Sequence, residues 1–573
     1  MVRIQAFAAV VVMFFSMQAI ALAPDSHVGD FRLFDHTGGS HHLHYFSDKK
    51  AVVLLVQDLS CAASQETLTQ TSNMIAAHGD DVEFFVINST SAREDVSLAM
   101  QTQQGNQDMR VLIDDAQLVG RTYGLTKAGE ALVVNPSDWT LAYRGDAIEG
   151  LNKALVEILE GQAVTENSSQ ASGCEIAYAP TDGHEISYSD TIAPILAENC
   201  VSCHRPGGIG PWAMNDYNMV RGFSLMIREV LMTKRMPPWH ADPTIGHWAN
   251  DRSISREDLQ TLVSWIDAGA PRGEGDDPLA QFATHKPTWG ELGEPDLIID
   301  IPPTDVPATG VVDYQYKYVA NPLDKDVWVK ASQIVPGDRT VLHHVITRFG
   351  EMATEGPRAG RLKRRSSIGG GLAGYVPGAE ARPLPDGTGT LLPAGATIEF
   401  QMHYTTSGAP TTDHSRIGIY FHEAEPEHKI NSMILANGQI KIPPHANNHA
   451  EQAIRAFEDD VLVYSILPHS HYRGKAAKFV AQYPDGSSEL LLNVPNYDFN
   501  WQTTYLLEEP KFMPAGTKII YTNWWDNSAQ NPANPNPNRE VRWGQQSFDE
   551  MIFGAVSYRK VKSAEGESLA GSE

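Results

Sequence analysis

The chain of 573 residues is long enough for three to four domains at about 150 residues each. Hydrophobic residues at 42% and charged residues at 20% are ordinary globular values and exclude collagen, a long coiled coil and wholesale disorder. Lys plus Arg number 44 against 70 Asp plus Glu, a net charge of −26 that repels phosphate backbones and anionic lipid, so nucleic acid is not an expected partner.

Residues 1–23 carry one cation, Arg3, an apolar run from Phe7 to Phe15, and small residues at Ala19, Ala21 and Ala23. The pattern predicts a secretory signal, with an uncleaved anchor as the competing reading. No later stretch of about 18 apolar residues occurs, so no membrane span is expected in the mature chain, and the expected location is a bacterial periplasm. Four cysteines are present, at 61, 174, 200 and 203. In an oxidising compartment Cys61 and Cys174 are the candidate disulfide pair.

From 24 to 160, strand-like runs such as Ala51–Val56 and Val82–Ile87 alternate with polar helical stretches, which predicts an α/β domain. A polar Gly/Ser-rich linker is expected over 161–184. Next, Ser255-Arg-Glu-Asp258 reads as a capping box, with Leu259, Leu262, Val263 and Ile266 at helical spacing and Gly269-Ala-Pro271 as the stop, so 185–275 is expected to be small and all-α. Beyond Glu294 short alternating strands and dense Pro/Gly turns predict two all-β sandwiches, 294–430 and 431–560, before a disordered tail over 561–573. The loop 369–389 and the Asn/Pro-rich 527–539 read as long and irregular.

Cys200-Val-Ser-Cys203-His204 is a Cys-x-x-Cys-His run. Two thiols at that spacing form thioethers to a porphyrin while the adjacent imidazole reaches the iron, which predicts one covalently bound heme c. A redox dithiol and a zinc half-site are the alternatives. Met236, displayed in Arg235-Met-Pro-Pro-Trp239, is the candidate sixth ligand, with His240 as its rival. Residues 185–275 resemble a class I cytochrome c in the heme motif, the downstream Met and the final helix.

The β region contains no cysteine, which excludes a blue-copper thiolate site. It does contain His343-His344, His403 in Gln401-Met-His-Tyr404, His469-Ser-His471, and Met551 in Asp549-Glu-Met551. An i, i+2 pair on a strand puts both rings on one face, whereas adjacent His343 and His344 share an ion only if the strand ends or bulges there. In this order the motifs resemble the copper type II, ascorbate-dependent monooxygenases, the family of peptidylglycine hydroxylating monooxygenase and dopamine β-hydroxylase, over roughly 294–560. The resemblance implies two copper ions, one held by His343, His344 and His403, the other by His469, His471 and Met551. The second would be the catalytic one, with dioxygen and a small organic substrate as partners. Imidazole suits both copper oxidation states and a thioether favours Cu(I). A heme on the same chain then offers a one-electron relay from an external donor, a redox protein or a small reductant. Peptide-hydroxylating members carry an Arg two residues before the His-x-His pair and an Asn two after the Met, both on a substrate carboxylate. Here those positions are Leu467 and Phe553, so a less charged substrate is expected. Gln401 and Tyr404 are candidates for supporting His403.

Residues 24–160 resemble a degenerate thioredoxin-like redoxin, with Cys61 at the attacking-thiol position, Ser64 where the partner thiol would stand and Gly129 where a cis-proline is expected. A dithiol cycle needs two thiols, so a structural or docking role is favoured there. The leading expectation is therefore an exported copper monooxygenase fed through a heme. The alternatives are a non-catalytic copper-binding or electron-transfer protein on the same scaffold, and a thiol oxidoreductase.

Overall fold

The structure, a computed structural model, describes residues 21–102, 109–178, 186–284, 288–356, 359–363, 372–378 and 381–562. Nearly all of the expected signal segment and the expected tail lie outside these, as do residues 369–371 and 379–380 of the loop 369–389. The chain divides into two compact units, residues 1–36 with 46–183, and residues 37–45 with 184–573.

The first unit is built on β1 (Arg32–Asp35), β2 (Ala51–Gln57), β3 (Val82–Asn88), β4 (Arg110–Ile113), β5 (Glu130–Asn135) and β6 (Thr140–Asp146), with helices α1 (Ala62–His78), α2 (Arg93–Thr102) and α3 (Glu149–Leu159). These strands lie in the order β1-β4-β3-β2-β5-β6. β2, β3 and β4 pair in parallel, while β1, β5 and β6 run antiparallel to their neighbours. This is a thioredoxin-like fold. β2 is buried along its whole length, as a strand covered on both faces must be, which is why it reads as an unbroken apolar run. Residues 161–178 do not behave as the expected linker. The Ser169 hydroxyl bonds to Tyr143 and accepts from the Asp146 amide, Ser168 bridges Arg144, and Cys174 is disulfide-bonded to Cys61. The polar composition marks a strap that satisfies its backbone against the sheet, not a spacer.

In the second unit, residues 186–275 hold the short helices α4 (Ala193–Asn199), α5 (Tyr217–Gly222), α6 (Ser224–Met232) and α7 (Arg256–Asp267). α7 starts as expected: the Ser255 hydroxyl accepts from the Asp258 amide and donates to its carboxylate, and Leu259, Leu262, Val263 and Ile266 are buried. A self-contained all-α domain is not evident among the described residues. Ala241 and Trp248 belong to the core of the C-terminal sandwich, and Trp239 and Trp248 pack edge-on against Tyr505. Two tryptophans are large apolar payloads, and here the sandwich covers them.

The N-terminal sandwich comprises β7 (Leu297–Asp300), β8 (Gln315–Ala320), β9 (Val327–Val335), β10 (Leu342–Gly350), β11 (Thr388–Leu392), β12 (Thr397–Tyr404), β13 (Arg416–Phe421) and β14 (His428–Lys429). Its sheets run β8-β12-β10 and β14-β11-β9-β13-β7. Val329, Ile398, Phe400 and Ile417 meet in the core between them. The C-terminal sandwich comprises β15 (Asn431–Ala436), β16 (His449–Ala456), β17 (Val461–His469), β18 (Gly474–Gln482), β19 (Ser488–Val494), β20 (Tyr505–Met513), β21 (Lys518–Trp525) and β22 (Phe553–Lys560). Its sheets are β15-β22-β17-β20 and β16-β21-β18-β19. No helix among the described residues is long and apolar enough to cross a membrane.

Candidate metal centre

His343 and His344 sit on β10 and His403 on β12, neighbouring strands of the three-stranded sheet. The β10–β12 register shifts between Leu342 and His344, and His344 then pairs with His403. That irregularity lets two consecutive histidines turn toward the same point, which a regular strand forbids. All three rings are buried and their ligating nitrogens lie within 4.8 Å of one another. His344 Nδ1 is 3.2 Å from His343 Nδ1 and 3.3 Å from His403 Nδ1. Two imidazole nitrogens bound to one ion at about 2.0 Å, at a tetrahedral angle, stand about 3.3 Å apart. The donor set therefore fits a single transition-metal ion. The other nitrogen of His403, Nε2, is engaged by the Ser547 hydroxyl at 3.2 Å, which leaves Nδ1 to face the triangle.

His469 is the last residue of β17, and His471 has already left the strand. The expected strand pairing on one face is thus not what joins them: their ring centroids are 5.2 Å apart at 87° because the chain turns. The turn is held by Glu550. Its buried carboxylate accepts from the Ser470 hydroxyl at 3.0 Å, the His471 amide at 2.9 Å, the Arg473 amide at 2.6 Å and the Trp525 indole at 2.9 Å. His469 Nδ1 is fixed by Gln502 Oε1 at 2.7 Å and His471 Nδ1 by the Asp549 carbonyl at 3.3 Å. With Nδ1 donating, each ring presents Nε2 as its free lone pair. His471 Nε2 is buried and has no hydrogen-bond partner among the described residues, which suits a ligating nitrogen. Met551 lines the same cleft as His469 and His471.

Burial pushes the His343 ring down to about 4, His403 to about 3 and His469 to about 4, and holds His344 and His471 well below their ordinary value. At neutral pH all five are uncharged imidazoles, the form that binds metal. The two sets are not remote from each other. Phe499 stacks on His343 at 4.6 Å and meets His471 edge-on at 6.0 Å, and His344, His469, His471 and Met551 line one cleft of about 1900 Å³. Tyr314 caps the first set, its ring 4.7 Å from His403.

Some expected roles are reassigned. Gln401 donates to the Tyr316 hydroxyl and Tyr404 to Asp413. Phe499, Gln502, Ser547 and Glu550 were not singled out from the sequence. Glu550 stands inside the Asp-Glu-Met motif and was legible there; Phe499 and Gln502 carry no motif.

Around the heme motif, the chain turns after α4: the His204 amide donates to the Cys200 carbonyl at 2.9 Å. Both thiols are free and half-buried. His204 Nδ1 lies 3.1 Å from the Trp212 carbonyl, which fixes the tautomer with Nε2 bare. Gly210 packs against that ring, and a Cβ there would stand 2.7 Å from Nδ1. Two free thiols and an oriented imidazole fit a thioether-linked porphyrin. Met236 follows α6 and is half-buried, while its rival His240 is buried.

In the first unit, Cys61 at the start of α1 is bonded to Cys174, 113 residues away. Ser64 donates to the Asp58 and Cys61 carbonyls, and Gly129 adopts φ +98°, a conformation proline cannot take.

No protein-family model matches the chain, and no curated protein matches it. Among solved structures, parts of the chain are similar to the pneumococcal exposed lipoprotein thioredoxin Etrx1 from Streptococcus pneumoniae, at 18% identity over 23% of this chain and 99% of that one, TM-score 0.21. They are also similar to a putative thiol:disulfide interchange protein DsbE from Chlorobium tepidum, at 15% identity over 24% and 99%, TM-score 0.22. A third is the peroxidoxin BcpB from Mycobacterium tuberculosis, at 16% over 24% and 97%, TM-score 0.22.

Proposed function

We propose that the chain is an exported oxidoreductase that hydroxylates a C–H bond of a small organic substrate with dioxygen, using two copper ions and one covalent heme c. The observation that carries this reading is the convergence of three buried Nδ1 atoms at 3.2 and 3.3 Å beside a second pair of imidazoles and a methionine on one cleft. His343, His344 and His403 would hold one ion; His469, His471 and Met551 would hold the other. A bound copper ion would supply one-electron redox chemistry and, at the thioether site, affinity for dioxygen. The chain's own residues do the rest. Gln502 and the Asp549 carbonyl orient the second pair, Ser547 orients His403, and Phe499 and Tyr314 shield the rings from water. Cys200 and Cys203 would tether the porphyrin and His204 would ligate its iron, with Met236 as the sixth ligand.

The test is metal analysis and turnover of the full chain. Two copper ions per chain, and oxygen consumption that depends on substrate and reoxidises the heme, are the expected results. A chain that binds copper and never consumes oxygen is instead an electron-transfer or copper-carrying protein.

A second reading, thiol oxidoreductase, is favoured by one observation, the Cys61–Cys174 disulfide at the start of α1 in a thioredoxin-like unit. Its sulfur at Cys61 is fully buried, which slows attack by an external thiolate. Turnover of a dithiol substrate that is lost in Cys174→Ser would establish it.

A further inference from the structure

β20 is the last strand of the sheet β15-β22-β17-β20, and its outer edge is not bare. Residues 247–250, which belong to the segment that carries the heme motif, run along it. The Glu508 amide donates to the His247 carbonyl at 3.0 Å, Trp248 pairs antiparallel with Leu507, and the Ala249 amide donates to the Leu506 carbonyl at 2.8 Å. Trp248 packs its ring edge-on against Tyr505. A short extra strand thus satisfies backbone groups that an edge would leave open.

On the other side of β20, the ladder with β17 stops at the pair Ile466–Tyr505, so residues 498–504 lie beyond it. That loop makes the contacts that matter at the histidines: Phe499 stacks on His343, and Gln502 Oε1 accepts from His469 Nδ1. Gln502 is itself turned by a bond from its Nε2 to the Phe499 carbonyl at 3.1 Å. Where the ladder ends, Asn250 takes over. Its Nδ2 donates to the Thr504 carbonyl at 2.8 Å, and its Oδ1 accepts from the Leu506 amide at 2.9 Å. One planar amide thereby clamps the backbone on both sides of Tyr505, just after Gln502. Asn250 is only half-buried, so the clamp adds nothing to the hydrophobic core; its effect is on the course of the loop.

We infer that Asn250 is a positioning residue for the second histidine site: it fixes the loop 498–504 so that Gln502 holds His469 with Nε2 turned to the ion. The segment that carries the heme motif thereby completes that site. The metal-binding half of this inference rests on the reading of His469, His471 and Met551 as copper ligands; the orientation of His469 does not.

The first readout is the nitrogen and proton NMR signature of the His469 ring in the copper-free, full-length chain, assigned by its loss in His469→Gln. The native chain is expected to hold His469 as the Nδ1-protonated tautomer, and Asn250→Ala is expected to mix the two tautomers. Asn437 supplies the control, because it makes the same two kinds of bond on the same sandwich, donating to the Gln452 carbonyl and accepting from the Gln439 amide. Asn437→Ala should leave His469 unmoved. The second readout is Cu(I) affinity, measured under nitrogen against a chromophoric chelator. Loss of an outer-shell partner costs about 10–100-fold in metal affinity. Asn250 acts one residue further out, so the His469 site is expected to weaken by about tenfold, while the His343 set, held by β10 and β12, keeps its affinity. A His469 signature unchanged in Asn250→Ala, or moved equally by Asn437→Ala, overturns the proposal, as does an equal weakening of both copper sites. A native chain that binds no ion at His469 and His471 sinks the copper reading alone, and the His469 signature then decides the present one.

Discussion

Phe499 lies flat against His343, with ring centroids 4.6 Å apart and planes 15° from parallel. The same ring meets His471 at 6.0 Å, so one phenylalanine touches both histidine sets. A buried aromatic that stacks on an imidazole keeps water from it and holds it neutral.

Phe499→Ala is expected to cost about 3 kcal/mol of stability, as a core aromatic truncation does. It should also raise the His343 pKa from about 4 toward its ordinary value as water enters. Urea unfolding reads the first effect and an NMR titration of the metal-free chain the second. A His343 pKa that stays put would show that other groups supply its burial.

Glu550 accepts four hydrogen bonds from the 470–473 turn and Trp525. Removing an acceptor strands buried donors at about 1–3 kcal/mol each. Glu550→Ala should therefore destabilise the protein and loosen the His469–His471 geometry, with copper stoichiometry falling from the proposed two to one. Metal titration with the His343 set intact is the check; unchanged stoichiometry would reduce Glu550 to a purely structural group.

Asp114 in the first unit is pushed up to about 6 by burial, despite accepting from the Gly120 and Val119 amides and the Ser89 hydroxyl. Its folded pKa lies above its unfolded one, so the folded state binds the extra proton between about pH 4 and 6. This contribution is full below pH 4 and is lost as pH rises through 6. Comparing melting temperature against pH for the native chain and Asp114→Asn should show that slope in the native chain alone.

The Cys61–Cys174 bridge closes a loop of 113 residues. A crosslink over that span stabilises by about 5 kcal/mol on the chain-entropy account. Cys174→Ser should lower the unfolding midpoint of the first unit by that equivalent while leaving the copper binding proposed for the second unit unchanged. Reduction of the native chain should reproduce the effect.

The sequence by itself was sufficient for the alternation of strands and helices in the first unit and for the switch to β texture after residue 294. It also sufficed for the α7 capping box and for naming His343, His344 and His403, which gather at one point. Those are local properties: period, propensity, turn chemistry and ligand type. Other features were decided by tertiary structure. The register shift before His344 turns two adjacent rings inward, and it depends on the pairing of β10 with β12. The strap 161–178 looked like a linker because its polar groups find their partners on a sheet far away in the chain. Residues 239–248 pack on the C-terminal sandwich, where Trp239 and Trp248 meet Tyr505 edge-on, a partner more than 250 residues away in sequence. Phe499 and Gln502 carry no spacing signal, because the fold brings them to histidines that are not their neighbours in sequence.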